Sequence, residues 1–306
     1  MRLVFAGTPQ VAADTLAHLL DHGGHEVVAV LTRPDAPRGR SGRPVPSPTA
    51  ELALAQGIEV LRPARAGDPE LARRLAELRP DCCPVVAYGG LIPRSLLDLP
   101  AYGWVNVHFS LLPRWRGAAP VQHAILAGDE VTGVTVFELV EALDAGPVLA
   151  SAEYRLGSGQ TAGEALLALQ GLGAQLLATT LDGLAAGSVT AHPQPEEGVT
   201  LAPKLTVDGA RIDWTQPAAV IERQVRANNP SPVAWTLLDG DRFRVLAGVA
   251  APDAGLAPGE LRAGRREVLV GTGDGALELQ LVQPAGRRPL AGADWGRGRR
   301  EPGRFQ

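Results

Sequence analysis

Short apolar runs alternate with helical stretches through the first part of the chain. Runs rich in apolar and β-branched residues predict strands at Arg2–Ala6, Val27–Leu31, Cys82–Tyr88, Trp104–His108 and Val134–Val140. Apolar residues at helical spacing predict helices at Gln10–Leu20, Pro69–Leu78, Ala119–Ala127 and Thr161–Ala186. This alternation is typical of the α/β class, so we expect a Rossmann-like, doubly wound parallel sheet.

The pattern changes after residue 187. Pro193, Pro195 and Pro203 interrupt any regular element there, and we interpret 188–204 as a linker between a first domain, 1–187, and a second domain, 205–306. In the second domain a helical segment precedes short alternating runs with Gly and Asp turns: Ala218–Ala227, then Ala234–Leu238, Phe243–Gly248, Glu267–Val270 and Leu277–Val282. Short strands with such turns predict a small, OB-like β-barrel.

The composition fits a folded protein of two ordinary domains. Of 306 residues, 45% are hydrophobic and 20% are charged, which excludes a disordered chain. No apolar run reaches the roughly 18 residues that cross a bilayer, and Met1–Gln10 lacks the pattern of a secretory signal. We therefore expect a cytoplasmic protein without membrane association. Because Cys82 and Cys83 are adjacent, we expect neither a disulfide framework nor a metal site.

Positive charge is concentrated locally, although the net charge is −4. Thr32–Ala50 contains several arginines against the single acid Asp35, and Arg287–Gln306 is also rich in arginine. The arginines of the first segment are Arg33, Arg38, Arg40 and Arg43. Its many prolines and glycines prevent packing as a helix or central strand, so we expect an exposed loop that orders on binding. Basic segments are commonly only solvated, and only a polyanionic partner gives this loop a binding role.

Motifs for common cofactors are absent from the sequence. The turn after the first predicted strand, Ala6–Gln10, has one glycine where a dinucleotide fingerprint needs three. There is also no P-loop, no pair of metal-binding histidines and no Gly-x-Ser-x-Gly turn. A nicotinamide cofactor is therefore disfavoured.

The segment Trp104–Gly117 carries the most informative polar residues. In a strand ending at His108, residues two apart point to the same face, so Asn106 and His108 project together at the carboxyl end. Open α/β sheets bind ligands at that edge. An amide and an imidazole side by side suit acyl transfer, because both donate to an oxygen that becomes negative and the imidazole also moves a proton. The alternative is a hydrogen-bonded histidine that merely closes a strand.

A second segment, Glu141–Pro147, places Asp144 in a Gly/Pro loop after another apolar strand. Asp144 could be an ordinary turn residue. Paired with His108, it would instead hold the ring and favour its charged form.

Several segments together resemble the folate-dependent formyltransferase family. The strongest are Asn106–Pro120 and Leu143–Gly146. The resemblance runs from Arg2 to about Gly286 and includes Phe5–Pro9, Thr32–Arg40, Pro46–Pro48, Val86–Gly89, Lys204–Leu205, Arg211–Trp214, Arg226–Pro230 and Leu281–Gly286. Phe109 departs from the pattern, because glycine is usual at that position.

The resemblance implies a role for each matching position. Asn106, His108 and Asp144 match the catalytic residues; Asn106 and a protonated His108 would hold the developing charge, and Asp144 would act as base or only orient His108. The residues that match the folate-contacting segment are Ser110, Leu111, Leu112 and Pro113. Arg40 matches the loop position that contacts the tRNA acceptor stem, and we expect Arg38 and Arg43 to bind tRNA with it.

The implied activity is transfer of a formyl group from 10-formyltetrahydrofolate, a cosubstrate, to the α-amino group of initiator methionyl-tRNA. On this hypothesis 1–187 is the catalytic domain, 205–306 binds tRNA, and the protein is a monomer. An alternative is a formyltransferase for an amino-sugar nucleotide or a purine precursor. Such a small substrate needs neither the arginine-rich segment Thr32–Ala50, here called the arginine loop, nor a second domain. A tRNA-binding module without activity would lack one or more of the catalytic residues. Asn106, His108 and Asp144 are all present in this sequence.

Overall fold

The computed structural model describes residues 1–37, 42–298 and 303–306. The contacts within it divide the chain into two compact units. The first unit comprises Met1–Gly117, Val131–Arg155 and Leu166–Leu201, and the second comprises Ala118–Glu130, Leu156–Ala165 and Ala202–Gln306. The boundaries 1–187, 188–204 and 205–306 as units of folding stay a prediction.

The elements up to residue 185 follow the predicted alternation of strands and helices. In chain order they are β1 (Arg2–Gly7), α1 (Gln10–His22), β2 (Glu26–Leu31), β3 (Ala36–Pro37), β4 (Pro44–Val45), α2 (Pro48–Ala55), β5 (Glu59–Leu61), α3 (Pro69–Leu78), β6 (Cys83–Val86), α4 (Arg94–Leu97), β7 (Trp104–His108), α5 (Pro120–Ala127), β8 (Val131–Glu138), β9 (Val148–Arg155) and α6 (Ala162–Ala185).

The first unit is built on one seven-stranded sheet with the strand order β5-β2-β1-β6-β7-β8-β9. Its strands from β5 to β7 run parallel, which confirms the Rossmann-like α/β class. At one side, β8 runs antiparallel to β7, and β9 runs antiparallel to β8. A short loop joins β8 directly to β9, and such a connection allows only an antiparallel pair.

The central strands explain why the apolar pattern predicted this sheet well. Leu3, Val4, Phe5 and Ala6 of β1 are all completely buried, as expected for a strand covered on both faces. The sequence analysis missed β9 because Val148–Arg155 carries Ala and Glu, which have low β-propensity.

The second unit contains an antiparallel sheet. Its elements after residue 185 are α7 (Ala218–Ala227), β10 (Trp235–Leu238), β11 (Asp241–Ala251), β12 (Leu261–Ala263), β13 (Val268–Gly271), β14 (Ala276–Gln283), β15 (Leu290–Ala291) and α8 (Gly292–Arg297), with a 3₁₀ turn at Asp208–Ala210. The strand order is β10-β11-β14-β13-β12, and β15 pairs with β14. The predicted small β-rich domain is therefore confirmed. Phe305 is buried there, with its ring 5.3 Å from that of Trp214.

Specific contacts hold both described ends of the arginine loop. β3 and β4 pair as a two-residue antiparallel ribbon, Thr32 Oγ1 lies 2.7 Å from Ser47 Oγ, and Asp35 forms an ion pair with Arg62 at 3.2 Å. α2 begins at Pro48, so the loop is shorter than the predicted Thr32–Ala50.

No helix among the described residues has the length and apolar character needed to span a bilayer.

Candidate active site

Asn106 and His108 lie on one face of β7, as the strand pattern predicts. β7 pairs parallel with β6 and antiparallel with β8, where His108 is opposite Thr135. Val105 and Val107 alternate with them and are buried. The strand ends at His108, so both polar side chains stand at the carboxyl end of the sheet.

The His108 ring is buried and held from one side. Its Nε2 lies 2.8 Å from the carbonyl oxygen of Trp115. A carbonyl only accepts, so we assign the hydrogen to Nε2, and the neutral ring then has its lone pair on Nδ1. Nδ1 faces Asp144 Oδ2 at 3.7 Å, which is longer than a hydrogen bond.

Burial lowers the pKa of His108 below its ordinary value, while the Asp144 charge and the Trp115 carbonyl raise it by smaller amounts. Burial dominates because the charged imidazolium loses its hydration. The expectation that Asp144 keeps His108 protonated stays a prediction, and in the free protein burial of the ring acts against it. In the neutral imidazole, the lone pair on Nδ1 lies on the side of the ring that faces Asp144.

Asp144 is held by backbone groups in the loop between β8 and β9. Its Oδ2 accepts a hydrogen bond from Gly117 N at 2.8 Å, and its own φ of 45° lies in the left-handed region. Gly146 allows the close return of this loop, because a Cβ there would overlap the carbonyl oxygen of Glu138. The structure thus brings His108 and Asp144 together, and adds the Gly117 N–H, which the sequence analysis missed.

The Asn106 amide remains available to a ligand. Asn106 is half-buried, and its side chain makes no hydrogen bond to another residue in the described part of the chain. A free amide N–H₂ beside the His108 ring can donate to an oxygen that gains negative charge.

The segment after β7 is tied to β8. Ser110 is completely buried, and its hydroxyl donates to the carbonyl oxygen of Arg114 at 2.6 Å. Thr135 Oγ1 donates to the carbonyl oxygen of Ser110 at 2.7 Å and accepts from Leu112 N at 3.1 Å. The Leu111 side chain lies over Gly133, and a Cβ at Gly133 would collide with it. Ser110 and Leu111 thus fix the segment, while Leu112 and Pro113 are half-buried. The assignment of these residues to folate stays a prediction.

Phe109 is accommodated by a glycine on the neighbouring helix. A Cβ on Gly173 of α6 would lie 3.4 Å from Phe109 Cε1 and 3.1 Å from Val107 Cγ1. The aromatic ring of Phe109 therefore packs where α6 has a glycine without a side chain.

The predicted tRNA-contacting arginines are only partly described. Arg43 is exposed, whereas Arg38 and Arg40 lie outside the described residues. Among the residues described, no group of three or more His, Cys, Asp or Glu side chains is arranged to hold a metal ion.

The first unit is Rossmann-like and carries Asn106, His108 and Asp144 at its candidate site, and the second unit contains an antiparallel sheet. This arrangement is compatible with the class of acyl-transfer enzymes. Residues 1–181 match the formyl transferase family, and residues 204–300 match the formyl transferase C-terminal domain. The chain therefore belongs to the formyl transferase family.

Relatives match along nearly the whole chain. A methionyl-tRNA formyltransferase from Streptomyces coelicolor is 56% identical over 301 residues, which cover 98% of this chain and 97% of the relative. A methionyl-tRNA formyltransferase from Thermobifida fusca is 54% identical over 301 residues, again 98% and 97% of the two chains. Both units of the molecule are therefore shared with these enzymes.

Two solved structures share the fold at low sequence identity. HypX from Aquifex aeolicus in complex with tetrahydrofolic acid superposes with a TM-score of 0.66 and 21% identity, over 96% of this chain and 46% of that one. An N-formyltransferase from Helicobacter canadensis, in complex with folinic acid and dTDP-3-aminofucose, gives a TM-score of 0.67 and 14% identity, over 92% and 98% of the two chains. At these identities the likeness concerns the fold.

Proposed function

We propose that the protein transfers a formyl group from 10-formyltetrahydrofolate to the α-amino group of methionyl-tRNA. The observation that carries this proposal is the site of Asn106, His108 and Asp144 in a chain that is more than half identical, over both units, to enzymes named for this reaction. The protein is accordingly a transferase that serves translation initiation. We further propose that it works in the cytoplasm as a monomer of 32.0 kDa.

The reaction needs a site that moves one proton and holds one transient charge. A bond forms between the α-amino nitrogen and the formyl carbon, and the bond between that carbon and N10 of the folate breaks. The amino nitrogen gives up a proton and N10 takes one, so no net proton is consumed. Catalysis therefore requires a group that accepts and returns a proton, and a donor for the formyl oxygen.

We propose that different residues carry out these tasks. Asn106 donates its free amide N–H to the formyl oxygen as that oxygen becomes negative. His108 accepts the amine proton on Nδ1, because Nε2 already carries the hydrogen donated to Trp115. Asp144, 3.7 Å from Nδ1 and fixed by Gly117 N, stabilises the resulting imidazolium. His108 then returns the proton to the leaving N10.

The alternative substrates, an amino-sugar nucleotide or a purine precursor, have weaker support. The N-formyltransferase from Helicobacter canadensis, in complex with dTDP-3-aminofucose, resembles this chain in fold at 14% identity. Relatives named for methionyl-tRNA exceed 50% identity along the length of the chain. The second unit, with its exposed arginines, also has no evident use with a small substrate.

A direct assay decides between these substrates. The purified protein is incubated with 10-formyltetrahydrofolate and charged initiator tRNA, and formyl-methionine is detected after the ester is hydrolysed. Parallel reactions contain a dTDP-amino sugar or glycinamide ribonucleotide. Formylation of methionyl-tRNA alone is expected, and faster formylation of either small amine would overturn the proposal.

We expect the folate to bind beside the catalytic strand, with its pterin among apolar side chains. Leu91 is 88% exposed, Leu112 is half-buried, and Ile92 packs at the edge of the core that contains Tyr88. Leu112→Asp should raise the Kd of 5-formyltetrahydrofolate at least ~10-fold, because the pterin loses an apolar neighbour and a carboxylate is buried. Titration calorimetry measures this change, with Leu54→Asp, an exposed leucine on α2, as control. A pterin bound elsewhere in a crystal of the complex would contradict the expectation.

We expect tRNA phosphates to contact the arginine loop and an arginine pair on the second unit. Arg242 and Arg244 are exposed on β11 and line a cavity of about 190 Å³ with Gln283–Gly286. The Arg242 guanidinium stacks 4.2 Å from the Trp235 ring centroid, which leaves its edge free for a phosphate.

Alanine variants test both basic surfaces. The triple variant of Arg38, Arg40 and Arg43, and the double variant of Arg242 and Arg244, should each weaken tRNA binding while folate binding is unchanged. The slope of log Kd against log salt should fall by about one for each phosphate that an arginine no longer neutralises. Filter binding at several salt concentrations provides the measurement. Arg73→Ala is the control, since Arg73 already pairs with Glu70 and Glu77. A salt slope equal to that of the parent protein would exclude phosphate binding at that surface.

A further inference from the structure

The proline-rich stretch predicted as a linker carries a residue that is bonded to the catalytic loop. Gln194 is half-buried between two exposed prolines. Its Nε2 donates to the carbonyl oxygens of Asp144 and Gly146, both at 2.8 Å. Its Oε1 accepts from Nε and Nη2 of Arg116, at 3.1 and 2.6 Å. One side-chain amide thus joins the loop that bears the catalytic acid to the segment that ends in Gly117.

The chemistry of these partners fixes the residue type. The Arg116 guanidinium only donates, so the amide oxygen must face it, and the amide N–H₂ must then face the two carbonyls. A glutamate of the same shape would set an acceptor oxygen against two acceptor carbonyls. A glutamine satisfies both sides at once.

The same stretch also supports the partner of His108. Thr200 Oγ1 accepts a hydrogen bond from Trp115 N at 2.8 Å, and its carbonyl oxygen accepts from Arg116 N at 2.9 Å. The carbonyl of Trp115 in turn accepts from His108 Nε2. Residues 194–200 therefore hold the acid on one side and the imidazole on the other.

The Asp144 loop needs such support. Asp144 has a φ of 45°, in the left-handed region that residues with a Cβ adopt only at a steric cost. The Asp144 carboxylate acts on His108 across 3.7 Å without a hydrogen bond, so its influence depends directly on where the loop lies. Loss of the two Gln194 bonds would let the loop relax away from the ring.

We propose that Gln194 is a positioning residue, held by Arg116, that sets the distance between Asp144 and His108 for formyl transfer. This inference rests on the proposed function. Gln194 itself contacts neither the amine nor the formyl group; it acts through the backbone of Asp144 and Gly146.

The test uses Gln194→Met, which keeps the size of the side chain and removes its hydrogen bonds. With methionyl-tRNA as acceptor, kcat should fall ~10- to 100-fold, and the KM values for folate and tRNA should change less than ~2-fold. The pKa of the His108 ring, followed by NMR of labelled histidine, should fall further, because the raising effect of Asp144 is lost. Glu196→Gln, an exposed residue of the same stretch, is the matched control.

The outcomes separate the two proposals. If the parent protein does not formylate methionyl-tRNA, the proposed function fails. If the parent is active and Gln194→Met leaves the His108 titration unchanged, Gln194 has only a structural role and the inference is overturned, whatever the change in kcat. Should Gln194→Met fold poorly, Arg116→Met removes the other half of the bond network and must give the same shift in the His108 titration.

Discussion

Replacing His108 with alanine, or Asp144 with asparagine, is expected to lower kcat for formylation of methionyl-tRNA at least ~100-fold, as for the loss of a proton-transfer group. His108→Ala removes the lone pair that accepts the amine proton, and Asp144→Asn removes the charge that stabilises the imidazolium. Binding of tRNA should barely change, because neither side chain belongs to a basic surface. Single-turnover kinetics with prebound substrates measure the chemical step directly.

The pH dependence of the parent enzyme checks the same assignment. Because burial places the pKa of His108 below its ordinary value of about 6.5, the neutral ring persists above pH 7. The His108-dependent limb of kcat should therefore fall only as the pH drops below 6.5. A limb in which kcat falls as pH rises through this region would mean that protonated His108 is the active form. The controls are His192→Ala, at an exposed histidine, and Asp98→Asn, at an exposed acid. Near-normal turnover of His108→Ala or Asp144→Asn would exclude the roles assigned to these residues.

Gly146→Ala is expected to lower kcat by about 100-fold, although it adds a single methyl group. The new Cβ would overlap the carbonyl oxygen of Glu138 at the end of β8, so the loop must move, and displacement of a catalytic group by about 1 Å costs on the order of 100-fold in rate. Asp144 lies two residues away and is held by one N–H bond from Gly117. Thermal unfolding and kcat, measured on the same sample, separate a loss of folded protein from a displaced acid.

Gly171→Ala is the matched control for this substitution. Gly171 lies on α6, with nothing within 4 Å of a Cβ at that position, and alanine is the better helix former. We expect this variant to retain activity and to be as stable as the parent or more so. If Gly146→Ala matched it in kcat, the loop would have to be flexible enough to take up the methyl group without moving Asp144.

The results also change the interpretation of residues 188–204. Proline breaks the helix and strand patterns there, so the sequence predicts a connection without regular structure. In the structure, His192 pairs with Val148, and Leu201 pairs with Arg116 in isolated bridges. As far as Leu201 the stretch thus belongs to the first unit, and it contributes hydrogen bonds to the candidate active site. The one signal in the sequence is a single glutamine between Pro193 and Pro195.

Local patterns determined much of this protein. The predicted segments Trp104–His108, Pro69–Leu78 and Ala218–Ala227 coincide with β7, α3 and α7. In each, the period of the apolar residues reports directly which face is buried. For the same reason the sequence alone placed Asn106 and His108 on one face, since the side-chain period of a strand is two.

Only the tertiary structure decided how that site is held and in what state. Asp144 receives its hydrogen bond from Gly117, 27 residues away, and its loop is bonded by Gln194, 50 residues away. Each of these hydrogen bonds has a backbone group on one side, either the Gly117 N–H or the carbonyl oxygens of Asp144 and Gly146. Every residue type carries such groups, so the sequence does not show which segments are joined. The protonation state of His108 depends on burial beneath its neighbours, and burial is a property of the assembled fold. The period of the apolar residues determines the helices and strands because it depends only on residues close together in the chain. The hydrogen bonds that position Asp144 join segments far apart in the chain, and no local pattern shows that these segments meet.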